Sequence, residues 1–174
     1  MKAILLSVNP EQVANIFNGK QTIIIRKTMP RCELPIKVYV YCTKDGYLHL
    51  EDEGHWSYSR DQKYTYKRHG KVVAYFTLRK AERCINPYFP KCSFATKTIL
   101  YEELLSKSCL TEEGFCEYIN KGSRGYVWYV SDLVIFNKPK ELSNFGVIVE
   151  TIHYRAYQAI KRPPRSWRYV EELE

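Results

Sequence analysis

The sequence predicts a single α+β domain in which about six strands form a small mixed β-barrel, with a few short helices at its periphery. Three observations support this fold class. The 174 residues match the length of one ordinary domain. Apolar residues make up 45% of the chain and charged residues 26%, which is enough for a buried core. Short β-branched runs alternate with short helical patterns, without repeats or a flexible linker.

The first elements are a strand at 3–8 and a short helix. Asn9 suits the helix N-cap, and Pro10 suits the first helical position. Gly19 is placed to end the helix, because glycine tolerates a positive φ. The β-branched segment 22–27 then predicts the second strand.

The remaining chain contains further strand and helix patterns. Strands are predicted at 36–42, 71–78, 125–136 and 146–153, and helices at 99–106 and after Thr111. The alternation of apolar and polar residues in 36–42 indicates a half-buried strand. The polar, aromatic-rich segment 47–70 predicts a hairpin or loop insertion, and the proline-containing segment 161–170 predicts an extended basic tail.

The cysteines and histidines favour neither a disulfide framework nor a metal site. None of the six cysteines forms a C-x-x-C pair, and the four histidines lack metal-ligand spacing. We expect reduced, mostly buried thiols and no cofactor, with a zinc site built from distant residues as the alternative. The sequence has no export signal and no apolar run of membrane-spanning length, so we expect a cytoplasmic protein without a membrane partner.

The chain carries a net charge of +8, with the basic excess concentrated in residues 1–100. A basic face on an otherwise balanced domain is typical of proteins that bind a polyanion, most commonly nucleic acid. The alternative is a soluble surface that is merely basic.

Thr22 and Arg26 lie four residues apart on a predicted strand, so both should point to one face. A guanidinium fork beside a hydroxyl can bind a phosphate group. Lys20, in the preceding turn, could add a second positive charge. Alternatively, Arg26 could pair with a structural carboxylate and close one end of the barrel.

Basic and aromatic side chains interleave at the end of the 47–70 segment, as in a surface that stacks bases and holds the phosphate backbone. These candidate RNA-binding residues are Lys63, Tyr64, Tyr66, Lys67 and Arg68. The alternative is a solvent-facing hairpin stabilised by tyrosine pairs across its strands.

The tail repeats arginine at every third position, at Arg162, Arg165 and Arg168. In a polyproline-like segment with three residues per turn, these arginines would share one face and extend the basic surface.

Four stretches together resemble the ASCH domains of the PUA-like superfamily, and in particular small ASCH proteins of phages and prophages. The first is Gly19-Lys-Gln-Thr-Ile-Ile-Ile-Arg26, after an N-terminal helix. The others are Arg26-Lys-Thr-Met-Pro-Arg-Cys32, Trp128-Tyr-Val-Ser-Asp-Leu133 with Asn137-Lys-Pro-Lys-Glu-Leu142, and Arg162-Pro-Pro-Arg-Ser-Trp-Arg-Tyr-Val170.

The resemblance implies a pseudo-barrel of five or six strands with a cleft beside the N-terminal helix that holds RNA or a nucleotide. Some members are ribonucleases, and others remove the acetyl group from N4-acetylcytidine with a Lys and a Thr of the first motif. This sequence has Gln21 and Ile24 at those two positions. Glutamine cannot act as a base and isoleucine has no nucleophile, so Lys20 and Thr22 remain only weak catalytic candidates.

The resulting hypothesis is an RNA- or nucleotide-binding module whose anion site includes Lys20, Thr22 and Arg26. Two alternatives stay open: a hydrolase of the same fold, acting on RNA or a modified nucleoside, and a phage accessory protein that binds a host protein.

Overall fold

The computed structural model describes residues 1–60, 68–87, 95–120, 123–152 and 154–173. Its helices are α1 (Pro10–Phe17), α2 (Tyr101–Ser108) and α3 (Glu112–Tyr118). Its strands are β1 (Lys2–Val8), β2 (Ile23–Arg26), β3 (Ile36–Cys42), β4 (Tyr47–Leu50), β5 (Trp56–Ser59), β6 (Lys71–Leu78), β7 (Ala81–Ile85), β8 (Arg124–Tyr129), β9 (Ser131–Lys140), β10 (Gly146–Glu150), β11 (Arg155–Ala159) and β12 (Trp167–Glu171).

The first of two compact units comprises residues 1–14, 36–77 and 132–174. Its main sheet has the strand order β12-β1-β3-β6-β9. Strand β1 pairs in parallel with β3 and antiparallel with β12. Two antiparallel pairs, β4 with β5 and β10 with β11, complete its strands. Its core includes Leu5, Tyr39, Val72, Phe145 and Val170.

The second unit comprises residues 15–35 and 78–131. Its sheet has the strand order β2-β8-β7, with antiparallel pairing throughout. Residues from β2, β7 and β8 form a buried cluster with residues of α2 and α3, including Ile23, Ile25, Leu104, Phe115 and Val127. This unit contains the Gly19–Lys27 segment.

The predicted α+β class with a few short helices is confirmed, but the predicted barrel is not. The described strands lie in four separate sheets and form no closed barrel. One cause is the segment 125–136, which is not a single strand. The chain divides at Val130 into β8 and β9, which belong to different sheets. Just beyond this division, Asp132 in β9 has a φ of +50°, in the left-handed region.

Local capping signals were predicted correctly. The Gln12 N–H donates to the Asn9 side-chain oxygen at 2.8 Å, and Gly19 has a φ of +72°. At α3, the Gly114 N–H donates to the Thr111 hydroxyl at 3.1 Å. These contacts depend on nearby residues alone, and sequence therefore reveals them.

The prediction of a half-buried strand at 36–42 was wrong. Strand β3 lies between β1 and β6, and Tyr39 and Tyr41 are only 2% and 3% exposed. The alternation reflected tyrosines, whose large rings are buried in the interior of this sheet.

No helix in the described part of the chain is long and apolar enough to span a membrane. Within the same residues, no group of three or more His, Cys, Asp or Glu side chains is arranged to hold a metal ion.

Fewer of the described thiols are buried than expected. Cys42 and Cys84 are buried, Cys116 is half-buried, and Cys32 and Cys109 are exposed. The sixth cysteine, at position 92, lies outside the described residues. Burial raises the pKa of Cys42 to about 12 and that of Cys84 to about 11.

These differences predict selective alkylation. At pH 8, iodoacetamide should modify the exposed Cys32 at least about 100-fold faster than Cys42 and Cys84, because the thiolate is the reactive form and burial suppresses it. Peptide mass spectrometry over a time course measures the rates. Equal rates in the folded protein would contradict the placement of Cys42 and Cys84 in the interior, and denaturant provides the control in which all sites react.

Candidate anion-binding sites

The backbone between α1 and β2 is held by hydrogen bonds on both sides of Gln21. The Asn15 carbonyl accepts from the N–H groups of Lys20 and Gln21 at 2.9 and 3.0 Å. The Thr22 N–H donates to the Lys107 carbonyl, and the Thr22 carbonyl accepts from the Val130 N–H, both at 3.0 Å. The side chains of Lys20 and Thr22 are nevertheless exposed, so a fixed backbone presents one ammonium and one hydroxyl group to solvent.

Gln21 lies between these two exposed residues and is itself only 2% exposed. Its Nε2 donates to the Ile23 carbonyl at 3.1 Å, whereas its buried Oε1 has no hydrogen-bond partner within the described residues. A buried acceptor without a partner costs about 1–3 kcal/mol. The Oε1 atom of Gln21 is therefore an acceptor that no described residue satisfies.

Thr22 is exposed in the structure, whereas Arg26, which was predicted to lie on the same strand face, is buried. Its side chain is 8% exposed, and its guanidinium donates to the Ile25 carbonyl at 2.8 Å. Burial lowers the pKa of Arg26, while the neighbouring Tyr118 hydroxyl opposes this by accepting a hydrogen bond. Arg26 therefore contacts a backbone carbonyl and a tyrosine hydroxyl.

Lys27 also contacts the tyrosine beside Arg26. Its Nζ lies 5.1 Å from the centre of the Tyr118 ring, and its side chain is exposed. Tyr118 thus contacts a buried cation through its hydroxyl and an exposed one through its ring.

Of the basic and aromatic residues predicted at the end of the 47–70 segment, Lys63, Tyr64, Tyr66 and Lys67 lie outside the described residues. Arg68 is described, and its guanidinium donates to the Phe136 carbonyl at 2.9 Å and lies 4.8 Å from the centre of the Trp56 ring. Burial lowers the pKa of Arg68. These contacts support a structural role for Arg68.

The basic tail is attached to the first strand. The Ser7 N–H donates to the Ser166 carbonyl at 2.8 Å, and the Ser7 hydroxyl donates to the Pro164 carbonyl at 2.7 Å. After this attachment the chain continues as β12, which pairs with β1. The end of the tail is therefore part of the five-stranded sheet.

The three tail arginines do not form one continuous polyproline face. Arg162 and Arg168 line a cavity together with Lys161, whereas Arg165 is exposed and is not part of that lining. Because Arg168 belongs to β12, its direction is set by strand geometry and not by the three-residue period. Sequence reasoning missed Gln158, which also lines the cavity, because its segment was not predicted as a strand.

Lys80 and Glu82 form a close acid–base pair in the second unit. Although burial opposes the shift, hydrogen bonds from Lys80, Thr96 and Thr98 lower the pKa of Glu82. The hydrogen bond to Glu82 correspondingly raises the pKa of Lys80. Both groups are charged at neutral pH, so this pair forms a salt bridge and does not provide a free general base.

Comparison with solved structures identifies the architecture. The crystal structure of an ASCH protein from Zymomonas mobilis matches with a TM-score of 0.60 and 15% sequence identity, over 98% of this chain and 88% of that one. Two single-substitution variants of the Zymomonas mobilis protein match with the same TM-score. Their identities are 14% and 13%, with 99% and 98% of this chain and 92% and 89% of theirs covered.

No protein-family model and no curated protein matches the sequence. The structural matches nevertheless cover nearly the whole chain, and they agree with the four stretches that resemble ASCH domains. The chain therefore has the fold of the ASCH proteins.

Proposed function

We propose that this protein is an RNA- or nucleotide-binding module of the PUA-like type, with its anion site at the start of β2, beside α1. The observation that carries the proposal is the arrangement around Gln21. Exposed donors on Lys20 and Thr22 flank a buried acceptor, the Gln21 Oε1, that has no hydrogen-bond partner in the described chain. A nucleotide offers a phosphate group that these two exposed donors can bind.

The charge of the whole protein supports the same ligand class. A net charge of +8 attracts polyanions at long range and releases counterions when phosphates are bound. In this proposal Lys20 and Thr22 contact the ligand, whereas the buried Arg26 supports the site through Tyr118.

The hydrolase alternative has less support. Gln21 and Ile24 replace the lysine and threonine of the family's amidohydrolase motif, and Ile24 is completely buried. Lys80 and Glu82 are engaged with each other. We therefore propose binding without assigning a catalytic step.

Binding of fluorescent single-stranded RNA, duplex RNA and free nucleotides at two salt concentrations tests the proposal. Lys20→Ala should weaken binding about three- to tenfold and reduce the salt slope by about 0.7 for single-stranded RNA, because one phosphate contact is lost. Lys97→Ala is the matched control, since Lys97 is an exposed lysine of the same unit.

Two results would overturn the proposal. One is the absence of any binding at low salt. The other is an equal loss of affinity in Lys20→Ala and Lys97→Ala, which would indicate attraction to net charge rather than a site. Incubation of the protein with labelled RNA and with N4-acetylcytidine tests the hydrolase alternative in parallel.

A further inference from the structure

A cavity of about 290 Å³ lies in the first unit between the β10–β11 pair and the tail. Its lining includes Val147 and Gln158, which are directly paired across β10 and β11 and therefore point to the same face. Ile160, just after β11, adds a further apolar side chain. One part of the cavity is thus apolar, and an amide group lies next to it.

The remaining polar lining is entirely basic. Lys161, Arg162 and Arg168 all line the cavity, and no acidic residue does. All three side chains are exposed, and no salt bridge involving them is present in the described part of the chain. Three positive charges around one concave surface are repulsive when the cavity is empty, and a bound anion relieves this repulsion.

The backbone that carries these cations is held in place. The Ile160 N–H donates to the Phe145 carbonyl at 2.7 Å on one side of the basic pair 161–162. On the other side, Ser7 binds the carbonyls of Pro164 and Ser166. Two consecutive prolines further restrict this segment. A ligand therefore meets an ordered backbone, so less conformational entropy is lost on binding.

We propose that this cavity binds the phosphate group of a nucleotide, either free or within an RNA strand. The guanidinium groups of Arg162 and Arg168 bind phosphate oxygens, and Lys161 adds a third positive charge. The apolar surface of Val147 and Ile160 contacts the sugar or base, and the Gln158 amide forms a hydrogen bond with it. The inference rests on the proposed function for the class of ligand, but it uses no residue of the Gly19–Lys27 segment.

Calorimetric or NMR titration with inorganic phosphate, uridine monophosphate and uridine tests this site. The nucleotide should bind more tightly than phosphate, and uridine should bind at least about tenfold more weakly than the nucleotide because it lacks the charge-assisted hydrogen bonds. The double variant Arg162→Ala/Arg168→Ala should lose nucleotide binding by at least about tenfold. Titration with single-stranded RNA then shows whether the cavity also binds a nucleotide that is part of an RNA strand.

Matched controls separate the cavity from general charge effects. Arg83 and Arg124 are exposed arginines of the other unit, and the double variant Arg83→Ala/Arg124→Ala removes the same charge. It should bind the nucleotide as the wild type does. Thermal denaturation should show that both double variants remain folded. Gln158→Leu changes the cavity without changing its charge, and it should also weaken nucleotide binding.

The outcomes distinguish this inference from the proposed function. If Arg162→Ala/Arg168→Ala binds the nucleotide with unchanged affinity, the proposal that the cavity binds phosphate is wrong, even if Lys20→Ala weakens RNA binding. If Arg162→Ala/Arg168→Ala loses nucleotide binding and Lys20→Ala does not, the result supports the cavity as a nucleotide site. The proposed site at Lys20 is then judged by the RNA-binding experiment. A wild-type protein that binds neither phosphate nor nucleotide at low salt overturns the inference.

Discussion

Replacement of Arg26 with alanine is expected to lower the free energy of unfolding by about 2–3 kcal/mol, within the range of substitutions that remove a buried, hydrogen-bonded side chain. The guanidinium is 8% exposed and donates to the Ile25 carbonyl. Its removal also takes away the donor for the Tyr118 hydroxyl and leaves unfilled space around the apolar stem. Urea denaturation followed by tryptophan fluorescence measures the change.

Lys27→Ala is the matched control, because Lys27 is the next residue, carries the same charge and contacts the same tyrosine. Its exposed contact with the Tyr118 ring should contribute only about 0.5–1 kcal/mol. If Arg26→Ala were as stable as the wild type but bound RNA poorly, Arg26 would be a ligand contact and our assignment of a supporting role would be wrong.

Replacement of Gly146 with alanine is expected to destabilise the β10–β11 pair by about 1–3 kcal/mol through overpacking. A Cβ atom at Gly146 would lie 2.4 Å from Tyr157 Cζ and 2.6 Å from the carbonyl oxygen of Gln158. The tyrosine ring can move only by giving up its hydrogen bond to the Asn144 carbonyl, which is 2.9 Å long. The backbone of β11 cannot move away without separating from β10.

The same substitution should weaken phosphate binding in the proposed cavity, because Gln158 and Val147 line it from these two strands. Gly114→Ala is the control, since its nearest neighbour would be Thr111 Oγ1 at 3.3 Å. Alanine is favoured over glycine within a helix by about 1 kcal/mol, which offsets the 3.3 Å contact, so this variant should lose less stability than Gly146→Ala. A Gly146→Ala protein with unchanged stability and nucleotide affinity would show that β10 and β11 adjust without cost.

Prediction from sequence succeeded best where the relevant interactions are local. The N-cap at Asn9, the positive φ at Gly19 and the cap at Thr111 depend on residues within three or four positions. The order of strand, helix, glycine and strand follows from these signals. Together with the spacing from Gly19 to Arg26, it indicated the ASCH fold that the structural comparison supports.

The candidate sites were predicted less well, because burial depends on partners far away in sequence. Thr22 and Arg26 have the spacing for one strand face, yet β2 begins after Thr22, and Arg26 is buried beside Tyr118. The tail arginines were expected to follow a three-residue period, but pairing of β12 with β1 fixes Arg168 instead.

The amino-acid sequence was thus sufficient for the α+β class, the helix caps, the basic character and the order of the first elements, since each follows from composition or from neighbouring residues. The tertiary structure decided that 125–136 divides between two sheets, that Arg26 is buried, and that Gln158, Arg162 and Arg168 line one cavity. These features depend on which strands pair and which side chains lose contact with water, and local propensity does not encode either.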